Sequence, residues 1–315
     1  MKKLMILSLL VALLTSLSVP ALAESPAEPT LLTTSDVIGA ETLYRLYDRE
    51  FYEAKADQPG QVVRLDYTTD VYGQEGQKRW ANVYVPSCYD PDGTDRINVI
   101  YFFHGNNCDQ KVLLGNEATC NAFDHMISTG IADPFIVVAP TYYINVRTKE
   151  VDLDLFAREI RESLMPAVES AYRTYAETPD DAGFRASRDH RAFTGFSRGG
   201  MTTWFLFDKL LDYSYYFLPF SGQTSDLSSV KAAMDSGSEY SHDFFIYMAT
   251  GGPEDMAYEG SISLAKAMIA DPEYFSFGTD KGENNFYLCL SDNIHQDLTS
   301  RYYLFNAFID VLFKD

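Results

Sequence analysis

Arg191-Ala192-Phe193-Thr194-Gly195-Phe196-Ser197-Arg198-Gly199-Gly200 is the stretch on which the fold turns. A short apolar strand signal runs into Gly-x-Ser-x-Gly, and Met201 to Leu211 continues as an apolar-periodic helix. A tight strand-to-helix turn of this kind needs glycine where neighbouring backbone comes close, and it lifts the serine hydroxyl clear of the sheet edge. The helix that follows presents free N–H groups beside that hydroxyl. Gly-x-Ser-x-Gly alone is a weak pattern; its place between a strand and a helix makes Ser197 a candidate nucleophile.

Outward from this turn, continuous apolar runs recur at Ile97 to Phe103, Pro134 to Ala139, Tyr216 to Phe220, Phe244 to Ala249 and Phe286 to Leu290. Such runs suit strands buried on both faces of a parallel sheet. Helical periodicity lies between them, at Leu155 to Tyr172, Gly199 to Leu211, Ser261 to Ala270 and Leu298 to Phe313. Two alternating segments come earlier, Gln61 to Thr69 and Arg79 to Val85, joined through Gly73 and Gly76. They predict an antiparallel pair. The expected fold is α/β, a mostly parallel doubly wound sheet with antiparallel strands at its N-terminal edge.

A serine hydroxyl needs a base, and the base needs an acid to orient it. In this strand-turn-helix context those follow in the order Ser, acid, His, on loops after later strands. The chain has five histidines. His104 ends an early strand, His125 lies in a helical stretch, His190 precedes the serine strand, and His242 precedes a strand. His295 follows the last strand and is the expected base. The acid belongs after Phe244 to Ala249, where both Glu254 and Asp255 fit; Asp255 is preferred, standing where a helix begins. Asp292 shares the histidine's own loop and is poorly placed to orient it.

Two N–H groups must meet the developing oxyanion. Arg198 supplies one, and Gly105 or Asn106, after the strand ending at Phe103, supplies the other. His104 is read as a brace for that loop. Tyr142, Tyr143 and Asn107 are candidate substrate contacts, with lid packing the other reading for the two tyrosines. Trp204 reads as core. The Arg198 side chain reads as paired with a neighbouring acid, or as a group on the oxyanion or on a substrate carboxylate.

The ends and the charge set the context. Met1-Lys2-Lys3, the apolar run Leu4 to Leu17 and Ala21-Leu22-Ala23 form a signal peptide over residues 1–23, too short for a membrane anchor. Residues 24–35 read as a flexible leader, and 36–315 as one catalytic domain. The protein is therefore expected outside the cell. With 45 acidic against 25 basic residues the formal charge is −20, which disfavours nucleic-acid and membrane-surface roles. Export permits disulfides among the four cysteines. Cys108 and Cys120 are near enough in sequence to close a small loop, leaving Cys88 and Cys289 as the other pair; the alternative is four free thiols. No Cys-x-x-Cys occurs and no metal is expected.

With these residues placed, the chain resembles the esterase D-like α/β-hydrolases, and within them the carbohydrate esterase family 1 feruloyl esterases of clostridial xylanase systems. The likeness runs from about Val99 to Phe313. It is carried by Tyr101 to Gly105 (YFFHG), Asp124 to Tyr142 and Pro166 to Glu177. His190 to Gly222 and Ala249 to Tyr258 carry it further. The resemblance implies the α/β-hydrolase fold, a triad falling on Ser197, Asp255 and His295, hydrolysis of hydroxycinnamoyl esters on arabinoxylan, and no cofactor. Three departures stand out: Asn106-Asn107-Cys108 where relatives carry glycines, Arg198 where an apolar residue is usual, and Gly252-Pro253-Glu254 before Asp255. Two other readings are an acetyl or other ester hydrolase or acyltransferase of the same fold, and a carbohydrate-binding module built on a hydrolase. The oligomeric state is unassigned.

Overall fold

The computed structural model describes residues 38–224 and 226–314; the expected signal peptide and leader lie outside the described residues. Eight strands are formed by Gln61–Thr69 (β1), Gln77–Val85 (β2), Asn98–Phe103 (β3) and Phe135–Ala139 (β4). Arg191–Phe196 (β5), Tyr216–Phe220 (β6), Phe245–Thr250 (β7) and Phe286–Leu290 (β8) complete the set. They make one sheet in the order β1-β2-β4-β3-β5-β6-β7-β8. β1 pairs antiparallel with β2 and β2 antiparallel with β4; every other pairing is parallel. Gly73 and Gly76 take φ of +78° and +63° in the β1–β2 connection, a conformation that costs glycine little.

Every residue of β3 to β8 is buried, because helices cover both faces. Alternate side chains serve separate cores: Tyr101 and Phe103 pack with Phe156, Leu164 and Leu206, whereas Ile100 and Phe102 pack with Phe123, Leu304 and Phe308. The helix expected over Leu155 to Tyr172 spans Leu153 to Ala171 and carries a π-turn at Ile160–Leu164. Pro166 follows that turn and has no N–H for the regular ladder, so the widened turn falls where one bond is missing anyway.

Strand order reverses between β3 and β5: β4 lies to one side of β3, and β5 to β8 run out on the other. The carboxyl ends of strands at such a reversal frame a crevice suited to ligands. Residues 104–107 leave β3 there and Ser197 leaves β5. No helix among the described residues is long and apolar enough to cross a membrane.

Candidate active site

Ser197 sits between β5 and the helix Arg198–Leu210 with φ +56° and ψ −116°, a strained conformation for a residue with a side chain. Its N–H donates to the Phe220 carbonyl at 2.9 Å, and its own carbonyl accepts from Met201 N–H at 3.0 Å, which holds the strain in place. The flanking glycines are sterically required. A Cβ on Gly195 would lie 2.7 Å from the Phe103 carbonyl oxygen, and one on Gly199 would collide with the same carbonyl. The turn is therefore seated directly on the end of β3.

Asp255 leaves the end of β7 and His295 the end of β8. His295 Nδ1 donates to Asp255 Oδ1 at 2.6 Å, which leaves Nε2 as the acceptor for the Ser197 hydroxyl at 2.9 Å. Asp255 is buried and fully enclosed by donors. Oδ2 accepts from the Ser221 hydroxyl at 2.7 Å and Gly251 N–H at 2.9 Å, and Oδ1 accepts from Ala257 N–H at 2.9 Å. Burial alone would raise its pKa, but the bonds from His295, Ser221 and the two backbone N–H groups outweigh it and hold the carboxyl at about 2. Glu254 and Asp292 are exposed, and neither makes a side-chain bond to His295.

The loop after β3 is pinned from below. Burial pushes the His104 pKa down, so the ring is neutral. Its Nδ1–H donates to the Gly105 carbonyl at 2.8 Å, and Nε2 accepts from the Thr141 hydroxyl at 2.8 Å. The Tyr142 hydroxyl and Cys108 N–H also donate to the Gly105 carbonyl, at 3.1 and 3.3 Å. In a trans peptide the N–H points opposite to the C=O, so the Asn106 N–H faces away from these three donors. Among the described residues no acceptor meets it. Gly105 N–H, by contrast, donates to Asp297 Oδ1 at 3.1 Å. Of the two sequence candidates for the loop donor, the one left open is Asn106.

Tyr142 and Tyr143 correct an expectation. Both are buried, at 0% and 2% exposure, and so present no face for a substrate to stack on. Tyr142 stacks on His104 with ring centroids 4.3 Å apart, and the Tyr143 hydroxyl accepts from Asn107 N–H at 3.0 Å. Packing beneath the loop is what they do. Arg79 secures the segment that carries them, donating to the Thr141 and Tyr143 carbonyls at 2.6 and 2.7 Å and pairing with buried Glu159 at 2.7 Å. Asn106 and Asn107 are exposed, Asn107 with φ +65° and its side-chain oxygen on the Lys149 ammonium.

The Cys108–Cys120 disulfide is also corrected: all four cysteines are free thiols. Cys108 Sγ donates to Asp297 Oδ2 at 3.5 Å, while Cys120 Sγ turns to the Leu114 carbonyl at 3.7 Å. Helix Glu117–Ser128 begins between the two and turns the second thiol toward its own preceding loop. Asp297, which ties the histidine loop to the loop after β3, went unnoticed in the sequence, as did Ser221. Trp204 is buried and donates to the Gly222 carbonyl at 3.1 Å.

A doubly wound sheet that raises a strained serine beside a His–Asp pair is the architecture of an α/β-hydrolase. A family model, Esterase, matches residues 74–207. The chain is 34% identical over 259 residues to endo-1,4-beta-xylanase Y of Acetivibrio thermocellus, covering 79% of this chain and 23% of that protein. It thus spans under a quarter of that relative's length. Its structure is similar to the feruloyl esterase module of Clostridium thermocellum, a serine-to-alanine mutant complexed with sinapinate. That match has TM-score 0.76 and 31% identity and covers 85% of this chain and 93% of the other. A ferulic acid esterase of Anaeromyces mucronatus shares the fold, with TM-score 0.62, 18% identity and coverage of 84% and 96%. The chain belongs to the esterase family of α/β-hydrolases, with the clostridial carbohydrate esterase family 1 feruloyl esterase modules.

Proposed function

We propose that the protein is a secreted serine esterase that hydrolyses feruloyl and related hydroxycinnamoyl esters of plant cell-wall polysaccharide such as arabinoxylan. The observation that carries this reading is the unbroken relay from Asp255 Oδ1 through His295 to Ser197 Oγ, at 2.6 and 2.9 Å. Ser197 attacks the ester carbonyl while His295 takes its proton, and Asp255 holds the ring with Nε2 toward the serine. The N–H groups of Arg198 and Asn106 receive the oxyanion. His295 then returns the proton to the departing alcohol, and a water activated by the same ring cleaves the acyl-enzyme. The His295 side chain is 19% exposed, which supports hydrolysis over transfer to another alcohol.

The acyl assignment rests on the feruloyl esterase relatives and on the surroundings. Met201, Met256 and Ile294, adjacent in the chain to the elbow, the acid and the base, are 55%, 80% and 45% exposed. Exposed apolar side chains close in the chain to the triad residues suit a flat aromatic acyl group. Secretion rests on the N-terminal signal pattern. The test is to follow methyl ferulate and naphthyl acetate side by side with Ser197→Ala as control. Ferulate release by the wild type alone supports the proposal; acetate release without ferulate discards the hydroxycinnamoyl class.

A further inference from the structure

Arg198 is the one cation that immediately follows the nucleophile in the chain. It is exposed, and its guanidinium carbon stands 5.9 Å from the Tyr142 ring centroid. Because Tyr142 reaches the Gly105 carbonyl, the guanidinium leans to the side of the site where the loop after β3 lies. Among the described residues it forms no ion pair and no side-chain hydrogen bond. The buried arginines show the contrast: Arg79 holds Glu159, Arg188 holds Asp243 and Arg191 holds Glu169. The expectation that a neighbouring acid neutralises Arg198 is therefore not met. Asp297, the carboxylate touching the same loop, is occupied by the Gly105 N–H and the Cys108 thiol. A second cation, Lys149, is tied to the Asn107 amide oxygen on this side and also lacks an ion pair among the described residues.

An unpaired guanidinium is a planar fork suited to binding one carboxylate through two N–H donors. The helix N-terminus at Arg198 adds its own positive potential. We infer that Arg198 is a specificity-determining residue that binds a carboxylate on the substrate itself, so that the preferred esters are acidic ones. This rests on the esterase reading above, and it adds a substrate class: hydroxycinnamoyl esters of uronate-bearing glycan. A carboxylate on the acyl half would supply the same chemistry, and the experiment separates the two. Nothing covalent changes; Arg198 orients and the triad reacts.

The experiment compares matched pairs. One pair is a feruloylated arabinoxylo-oligosaccharide with and without a glucuronic acid branch, and the other is naphthyl succinate against naphthyl acetate. Wild type should show a charged-to-neutral ratio in kcat/KM of about five- to tenfold in the first pair, diminished at high salt. Arg198→Met should bring that ratio to about one, and Lys149→Ala should lower it partway. A preference confined to the succinate pair would overturn the glycan assignment. If Arg198→Met slows both members of a pair alike and keeps the ratio, the guanidinium acts on the oxyanion and the inference falls. Binding to Ser197→Ala, with the same compounds and with Arg198→Met added, reads the carboxylate preference without turnover. Absence of that preference overturns the inference even when wild type is active. Its presence sustains the inference even if wild type releases no ferulate, which would sink the esterase reading alone.

Discussion

The two halves of the site are held by different means. On the acid side, a buried carboxylate is enclosed by donors from His295, Ser221, Gly251 and Ala257, all within 2.6 to 2.9 Å. On the oxyanion side, the loop after β3 is suspended between side chains from distant parts of the chain: Tyr142, Tyr143, Arg79 through their backbone, and Asp297. The first half is electrostatically tight and local to the ends of three neighbouring strands, β6, β7 and β8. The second draws its supports from several elements, one of them, Asp297, reaching Gly105 across 192 positions. Removing the buried carboxylate itself should thus damage catalysis far more than removing one oxyanion-side brace.

The largest effect should fall on Asp255→Asn. An amide can present Nδ2 to His295 and stabilise the wrong tautomer, so kcat should drop by about 10³-fold or more. Glu254→Gln, one residue away but exposed, should stay within about twofold. Steady-state kinetics on one ester decide it, and equal rates for the two variants would reassign the acid. The same substitution has a stability signature. The folded pKa of Asp255, about 2, lies below its ordinary 3.8. Its contribution to stability is therefore complete above about pH 4 and is lost as pH falls through 2. Asp255→Asn should flatten the acid limb of a urea-midpoint profile in that window.

This division also explains what could be read from the chain. On the acid side order goes most of the way: apolar runs mark the strands, five histidines leave few choices, and the acid must follow the next-to-last run, where Glu254 and Asp255 both fit and the helix entry favours Asp255. The oxyanion side had no such grammar. Asp297 reaches Gly105 across 192 positions, and nothing in Gln296-Asp297-Leu298 announces that contact. Tyr142 and Tyr143 were placed correctly at a strand end, but the direction of a side chain there depends on the register of β4 and on Arg79 beneath it. The Cys108–Cys120 pairing failed for the same reason. Sequence separation bounds a loop but does not say which way each thiol turns.

Asp297 offers the next test, with a smaller effect. Asp297→Ala frees the Gly105 N–H and loosens the loop that aims Asn106, so kcat should fall about tenfold with little change in KM. Asp297→Asn keeps an acceptor for Gly105 and should recover most of the loss. Failure of the asparagine to rescue would mean that the negative charge matters, and the bracing account would be wrong. Ser221→Ala sits lower again. It removes one of several donors to Asp255, so a loss of about fivefold, the worth of one hydrogen bond, is expected. A drop as deep as that of Asp255→Asn would show that the carboxylate's surroundings are not redundant.

The smallest effect separates a covalent from a non-covalent loop. With all four cysteines free, reductant should leave activity unchanged, and the denatured, unreduced protein should titrate four thiols. In the folded protein Cys108 should label slowly, because burial first and the Asp297 carboxylate second push its pKa up to about 11 and leave little thiolate. Cys108→Ser should then be nearly silent, since serine can still donate to Asp297. A count of two thiols, with activity falling on reduction, would mean that a disulfide closes the loop. Asp297 would then be one support among several, and its substitution should cost correspondingly less.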